Sequence, residues 1–151
     1  MKFSTRKDAD VPAEHLFAVI TDFPRMERML MRRGVAVARI DPAQEPGHSM
    51  AWRIAFDWRA KRRELRLDVA RFDRPEQVSI AGMSDPFEMM INMTIVALSR
   101  TRSRLIFETD LRPRNMKSRL LLQTARLGKA QLDRRFARRV GEFIDELLLA
   151  A

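Results

Sequence analysis

The chain has 151 residues, a usual size for one domain, and we expect residues 1–151 to fold as a single unit. It contains no cysteine, which excludes disulfides, thiolate metal sites and cysteine nucleophiles, and its apolar runs fall far short of the ~20 residues that span a bilayer. Its 29 Lys and Arg residues outnumber 20 Asp and Glu residues, so the formal net charge is +9. Such a charge suits an anionic membrane, nucleic acid or an acidic ligand, or simply a solvated basic surface.

The amino-terminal part of the sequence predicts one strand and two helices. Residues 2–10 alternate weakly between polar and apolar types, which indicates a strand. An acid and a proline near residue 12 begin a helix whose apolar residues repeat at i, i+3, i+4 and i+7: Ala13, Leu16, Phe17 and Ile20. Asp22-Phe23-Pro24 ends this helix and begins a second one, which Gly34 ends.

From residue 35 the apolar period changes to two, which predicts strands joined by short turns. After a short strand at 35–40, the clearest alternation runs from Trp52 to Trp58, with one apolar, aromatic face and one polar face. Four further runs alternate in the same way, at 65–69, 78–80, 87–95 and 105–111. Because short turns join antiparallel neighbours, we expect these strands to form a meander.

The remaining residues predict one long helix of roughly 30 residues that Asn115 caps. A mostly continuous apolar stripe is expected along it, formed by Leu120, Leu121, Leu127, Leu132, Phe136, Val140, Phe143, Ile144, Leu147 and Leu148. This helix is the only element large enough to cover the apolar face of the sheet. The expected fold class is therefore α+β, with a curved antiparallel sheet of about seven strands wrapped around the terminal helix.

The first helix carries a family resemblance. The run Val11-Pro12-Ala13-Glu14-His15-Leu16-Phe17, followed by Thr21-Asp22-Phe23, resembles the Pro-x-Glu-x-(aromatic/apolar)…Asp helix of the START/Bet v 1-like helix-grip superfamily (SRPBCC). This superfamily includes polyketide cyclase-like and coenzyme Q-binding proteins, and the meander and terminal helix extend the resemblance over the whole chain. It implies a cavity between sheet and helix that holds lipids, sterols, quinones, hormones or polyketides, while a minority of members are enzymes. The resemblance names a fold and not a ligand.

The inward-facing side chains of the strands and the terminal helix predict an apolar ligand site. Such pockets are mostly apolar, with a few polar groups that orient the ligand. The predicted ligand-binding side chains are Trp52, Ile54, Phe56, Trp58, Leu67, Met89, Ile91, Met93, Phe107, Thr109 and Leu121. The same side chains also suit a filled core, and the family resemblance favours the pocket.

Antiparallel pairing brings the turns at 59–63 and 82–86 to the same end of the sheet as the exit from the last strand. A basic rim is predicted there, formed by Arg59, Arg62, Arg63, Arg112, Arg114 and Arg119. It would attract an acidic ligand head or an anionic membrane, to which each basic residue contributes ~1 kcal/mol. A set of solvated charges is the alternative interpretation.

Signals for catalysis, metals and nucleic acid are weak. The carboxylates of the strands fall in the outward phase: Asp57, Asp68, Glu88, Glu108 and Asp110. His15 is expected to be exposed and His48 lies in a loop, and two isolated histidines without cysteine do not form a transition-metal site. No cofactor or metal is therefore predicted. The arginine-rich run at 134–139 fits an amphipathic helix with Phe136 inward, which disfavours nucleic acid as a partner.

The sequence thus favours binding or transport of a small hydrophobic or amphipathic ligand, lipid-, quinone- or polyketide-like, by a cytoplasmic or membrane-peripheral protein. One alternative is an enzyme of the polyketide cyclase/dehydratase type. A second alternative, which rests on the basic surface alone, is a membrane-peripheral or regulatory interaction module.

Overall fold

The computed structural model describes residues 1–41, 47, 50–58 and 60–149. His48 and Arg59 lie outside the described residues, as does the side chain of Trp58. The elements, in chain order, are β1 (Lys2–Ala9), α1 (Ala13–Ile20), α2 (Phe23–Arg32), β2 (Ala36–Arg39), β3 (Ala51–Trp58), β4 (Lys61–Asp73), β5 (Gln77–Met83), β6 (Phe87–Ala97), β7 (Ser103–Pro113), α3 (Met116–Ala125), a 3₁₀ turn (Arg126–Gly128) and α4 (Lys129–Leu149).

The seven strands form one antiparallel sheet in the order β1-β7-β6-β5-β4-β3-β2. Strands β2 to β7 therefore form the expected meander, and the predicted fold class is confirmed. β1 is added at the far side of β7, where Thr5 lies opposite Phe107. Along most strands, every second side chain points to the face of the sheet that the helices cover.

The helix boundaries follow from local capping. The Asp22 carboxylate accepts a hydrogen bond from the Arg25 backbone N–H at the start of α2, and Pro24 follows in its first turn. Gly34, with φ of 85°, adopts the left-handed conformation just after that helix. Asn115 caps α3 as predicted, because its Oδ1 accepts from the Ser118 backbone N–H at 2.8 Å.

The main core lies between α1, the second half of α4 and the middle strands. Leu16, Phe17 and Ile20 of α1 are fully buried there, as are Ile144 and Leu147 of α4. Phe136 points inward as predicted, while the arginines around it in the 134–139 run are exposed. Burial of this continuous apolar surface is the main favourable contribution to folding.

A second apolar cluster joins α2 to β3. The Phe23 ring packs edge-on against Trp52, with ring centroids 5.1 Å apart, and Met50, Ile54 and Val69 surround them. The indole N–H of Trp52 donates to Glu27 Oε1 at 2.8 Å, so a polar partner meets the buried ring. This cluster fixes α2 against the sheet.

The carboxy-terminal helical segment spans residues 116–149 as expected, but a 3₁₀ turn divides it into α3 and α4. The expectation that Leu120, Leu121 and Leu127 face the sheet is wrong, because their side chains are 56%, 53% and 90% exposed. Leu122 is the buried leucine of α3 instead. Ser118 and Leu122 are about one turn apart and share the buried side of α3, whereas Leu120, two residues from each, lies about halfway round the helix.

Candidate functional site

The concave face of the sheet brings most of the predicted ligand-binding residues together in adjacent rows. Met93 lies opposite Phe107 of β7, and Ile91 lies opposite Thr109. Met89 forms the next row on the same face. The predicted phase of β6 and β7 is therefore correct, since every second residue of each strand reaches this face.

Burial along the concave face falls from one end of the sheet to the other. At the end nearest α1, the inward residues Val78, Ile95 and Leu105 are 0–6% exposed. Toward the β3–β4 and β5–β6 turns, the inward residues remain partly accessible: Phe56, Leu67, Met89, Ile91, Phe107 and Thr109. We call these six residues the open end of the concave face. It is an apolar surface with one hydroxyl group, and its residues lie on β3, β4, β6 and β7.

Gly82 shapes the floor of the open end. It lies between Leu67 of β4 and Met89 of β6 in the same cross-strand row. A Cβ atom on Gly82 would lie 2.6 Å from Met89 Cγ and 3.3 Å from Leu67 Cδ2. The absence of a side chain therefore lets the two neighbouring side chains converge above the strand.

The other predicted ligand-binding residues do not lie at the open end. Trp52, Ile54 and Met93 are buried in the two core clusters, where they pack against the helices and neighbouring strands. Leu121 lies on the exposed side of α3 and not on the concave face. The side chain of Trp58 lies outside what the structure describes.

An aromatic cluster lies beside the open end where α4 crosses the sheet. The Phe136 ring of α4 lies 5.7 Å from the Phe107 ring and 5.4 Å from the Phe3 ring of β1. Aromatic pairs at these distances pack favourably beyond their buried area. Phe107 therefore contacts the helix on one side, and its side chain remains partly accessible to solvent.

The basic rim residues divide into outward and inward groups. Arg62, Arg112, Arg114 and Arg119 are exposed at the predicted end of the sheet. Arg62 lies 3.8 Å from Asp57, Arg112 lies 3.2 Å from Asp110, and the Arg114 guanidinium donates to the Ser84 carbonyl.

Arg63 differs from the rest of the rim. It lies opposite Phe56 on the concave face, in the same phase as Leu65 and Leu67. Its side chain is half-buried and its Nε atom is shielded from solvent. The alternation of β4 in the sequence already indicates the direction of the Arg63 side chain, since residues 63, 65 and 67 share one face of a strand.

The clearest electrostatic effects lie on the opposite, outer face. Hydrogen bonds from the Arg104 guanidinium lower the pKa of Asp8, and those from Arg66 lower the pKa of Asp68. Both carboxylates thus stay ionised at neutral pH and act as ion-pair partners. The outward position of Asp68 agrees with its predicted phase.

Two surface clefts lie outside the concave face. One, of about 570 Å³, is lined by Met1, Lys2, Asp110, Arg126 and Lys129. The other, of about 330 Å³, is lined by residues of α1 and α2 together with Arg39, Met50 and Arg74. Neither includes any of the six residues of the open end among its described lining. None of the helices among the described residues is both long and apolar enough to cross a membrane.

Solved structures with the same architecture were found by comparison of the whole chain. An aromatase/cyclase from Streptomyces sp. R1128 superposes with a TM-score of 0.65 at 12% identity, over 99% of this chain and 92% of that one. Norcoclaurine synthase from Thalictrum flavum gives 0.68 at 10% identity, over 100% and 87% of the two chains. A START superfamily protein from Mycobacterium smegmatis gives 0.56 at 14% identity, over 92% and 98%.

No protein-family model matches the sequence, and no curated protein matches it by sequence either. The likeness to solved structures is therefore one of fold, carried by the seven-stranded antiparallel sheet, the two short helices after β1 and the carboxy-terminal helical segment. These features confirm the predicted fold: the chain has the START/Bet v 1-like helix-grip fold.

Proposed function

We propose that this protein binds a small hydrophobic or amphipathic molecule, lipid-, quinone- or polyketide-like, at the open end of the concave face. The observation that supports this proposal most strongly is the gradient of side-chain burial along one face of the sheet. Apolar side chains of the same phase are buried at the α1 end and partly accessible at the other end. An apolar surface that its own helices leave partly uncovered is suited to an apolar guest.

The composition of the open end supports an adaptable apolar contact surface. Met89 is unbranched and fits guests of irregular shape, and Phe107 offers a ring face held by Phe136. Thr109 supplies one hydroxyl group within this apolar row. Such a surface orients a ligand by few polar contacts and binds it mainly by apolar burial.

Arg63 supports an amphipathic ligand with an anionic or strongly polar head. Its strand position places it on the concave face at the end that the rim arginines surround. A guanidinium offers several N–H donors in a planar fork that matches carboxylate and phosphate groups. The apolar part of such a ligand would lie on Met89 and Ile91, with its head toward Arg63.

An enzyme of the aromatase or cyclase type is the second candidate. It is favoured by the presence of an aromatase/cyclase and a synthase among the structures of the same fold. In this chain Arg63 and Thr109 would be the polar groups that orient a substrate. Turnover of a polyketide-like substrate that is lost in Arg63→Gln, with substrate uptake retained, would favour this candidate over carriage alone.

Native mass spectrometry of protein purified without detergent tests the proposal. The protein is measured as purified and after addition of oleate, a short-chain ubiquinone or anilinonaphthalene sulfonate. We expect one molecule per chain of at least one of these probes, at saturation. Failure to take up any of the three would overturn the proposal.

A matched pair of variants locates the bound molecule. Ile91→Gln changes the concave face, and Ile106→Gln changes a partly buried isoleucine on the outer face of the neighbouring strand. We expect Ile91→Gln to weaken uptake by about tenfold, since the burial of an isoleucine side chain by a ligand contributes about 1.5 kcal/mol. Equal losses in both variants would show that the probe does not occupy the concave face.

A further inference from the structure

The outward face of α3 is unusually apolar. Met116, Leu120 and Leu121 are exposed on this helix, and Leu127 in the 3₁₀ turn is 90% exposed. These are four of the eleven exposed large apolar side chains in the part of the chain that the structure describes. Met116 and Leu120 are one turn apart on the side opposite the buried Ser118 and Leu122. We call the four exposed side chains the α3 ridge.

The charged residues on the segment that carries the α3 ridge are all basic, although Arg112 and Lys129 at its two ends form ion pairs with Asp110 and Asp133. Residues 111–132 contain six basic residues and no acidic one: Arg112, Arg114, Lys117, Arg119, Arg126 and Lys129. Lys117 and Arg119 are exposed on α3 itself, between Met116 and Leu120 in the sequence. An exposed apolar ridge flanked by cations matches the interface of a bilayer that carries negative headgroups.

A cleft beside the ridge adds a place for a headgroup. It has a volume of about 570 Å³, and its lining includes Lys2, Arg126 and Lys129 with one acid, Asp110. Arg126 adjoins Leu127, the most exposed residue of the ridge. The cations therefore lie next to the apolar side chains that would enter the acyl boundary.

The ridge is also close to the open end of the concave face along the chain and in the fold. α3 begins three residues after Pro113, which pairs with Phe87 at the start of β6. The backbone N–H of Arg114 donates to the Pro86 carbonyl, which ties this exit to the β5–β6 turn. That turn is at the end of the sheet where the inward side chains are partly accessible.

We propose that the α3 ridge docks this protein onto an anionic lipid bilayer, with Leu120 and Leu127 in the acyl boundary and Lys117, Arg119 and Arg126 at the phosphate groups. Docking depends on the exposure and charge of α3 and therefore requires no ligand on the concave face. If a ligand does bind there, docking brings the open end next to the bilayer surface.

Co-sedimentation with vesicles tests this proposal on the whole chain. We expect binding to phosphatidylglycerol/phosphatidylcholine vesicles and little binding to pure phosphatidylcholine vesicles, with a loss as salt is raised. Leu120→Gln/Leu127→Gln is expected to weaken binding by about tenfold, since binding scales with the apolar area inserted. Lys117→Gln/Arg119→Gln is expected to weaken it by about 25-fold, at ~1 kcal/mol per basic residue.

Matched substitutions elsewhere on the surface provide the controls. Met31→Gln/Leu98→Gln removes two exposed apolar side chains, and Arg28→Gln/Arg100→Gln removes two exposed cations. We expect less than about a twofold change for either pair, because neither adjoins the α3 ridge. Far-UV circular dichroism verifies that every variant retains the fold.

Three results would overturn the proposal. The first is absence of binding to the anionic vesicles. The second is a loss caused by the charge variants but not by Leu120→Gln/Leu127→Gln, which would indicate attraction by the net charge alone. The third is a self-associated protein that Leu120→Gln/Leu127→Gln converts to a monomer in sedimentation velocity, which would make the ridge a contact between copies of the chain.

Discussion

Gly82 shows how a single residue without a side chain sets the shape of the proposed site. Any Cβ at this position must displace Met89, whose Cγ would lie 2.6 Å away. We therefore expect Gly82→Ala to lower the free energy of unfolding by about 1–2 kcal/mol, as overpacked positions generally do. Urea denaturation of the variant and the parent protein measures this difference.

A double-mutant cycle distinguishes this clash from a general effect of alanine in a strand. Met89→Ala removes the atoms that the new Cβ would meet, so Gly82→Ala should cost much less in the Met89→Ala background. Additive losses in the double variant would mean that the new Cβ atom and the Met89 side chain do not clash at the open end.

Individual side chains also show where sequence reasoning succeeds and where it stops. The inward positions of Ile91, Phe107 and Thr109 follow from strict alternation, and the register confirms them. Alternation cannot separate the buried Trp52 from the partly accessible Met89, because both face the same side of the sheet. That difference depends on how far the helices extend over each strand, which no local pattern encodes.

Arg63 is a residue whose direction follows from the strand pattern, although its charge alone favours a different interpretation. Its charge and its position next to a turn predict that it belongs to the basic rim. The period of two places it instead with Leu65 and Leu67 on the concave face. The phase of a strand is thus better evidence for the direction of a charged side chain than its proximity to a turn.

At the scale of elements, strands were easier to predict than the terminal helical segment. Each strand from β3 to β7 shows alternation over several residues, and the expected meander is present. In the terminal segment, the leucines predict one continuous stripe, but Leu122 shares the buried side of α3 with Ser118, and a 3₁₀ turn interrupts the helical period before α4. The leucines that lie outside this buried side form the α3 ridge together with Met116.

The pairing of β1 with β7 was beyond the reach of local patterns. Asp8 lies opposite Arg104, a contact between residues that are 96 positions apart in the chain. The amino-terminal alternation predicts a strand but does not specify its neighbour. The position of β1 beside β7 depends on the fold of the complete meander.

Gly141 offers a test of how helix propensity contributes to α4. It lies in the interior of this helix, and a Cβ atom there would meet nothing within 4 Å. We expect Gly141→Ala to raise the free energy of unfolding by about 0.5–1 kcal/mol, because alanine loses less backbone entropy than glycine. Thermal unfolding should show an increase in Tm of about 1–4 °C. A lower Tm would contradict the free space around this position.

At the scale of the molecule, the fold and the site are linked by incomplete coverage of one sheet face. α1 and the second half of α4 bury the concave face at one end. α3 directs Met116 and Leu120 away from the sheet at the other end. The same arrangement therefore leaves apolar surface both at the open end of the concave face and on the α3 ridge, and these two surfaces support the two proposals separately.

Methyl NMR of the methionines during titration with anilinonaphthalene sulfonate tests ligand binding at the open end most directly. The chain has ten methionines, and Met89 lies in the proposed site, whereas Met31 and Met116 are exposed elsewhere. Single Met→Leu substitutions assign their signals. We expect saturable shifts of the Met89 methyl signal at one probe per chain, with Met31 and Met116 unchanged. Saturable binding that shifts Met116 and leaves Met89 unchanged, or no saturable shift at all, would contradict a ligand site on the concave face.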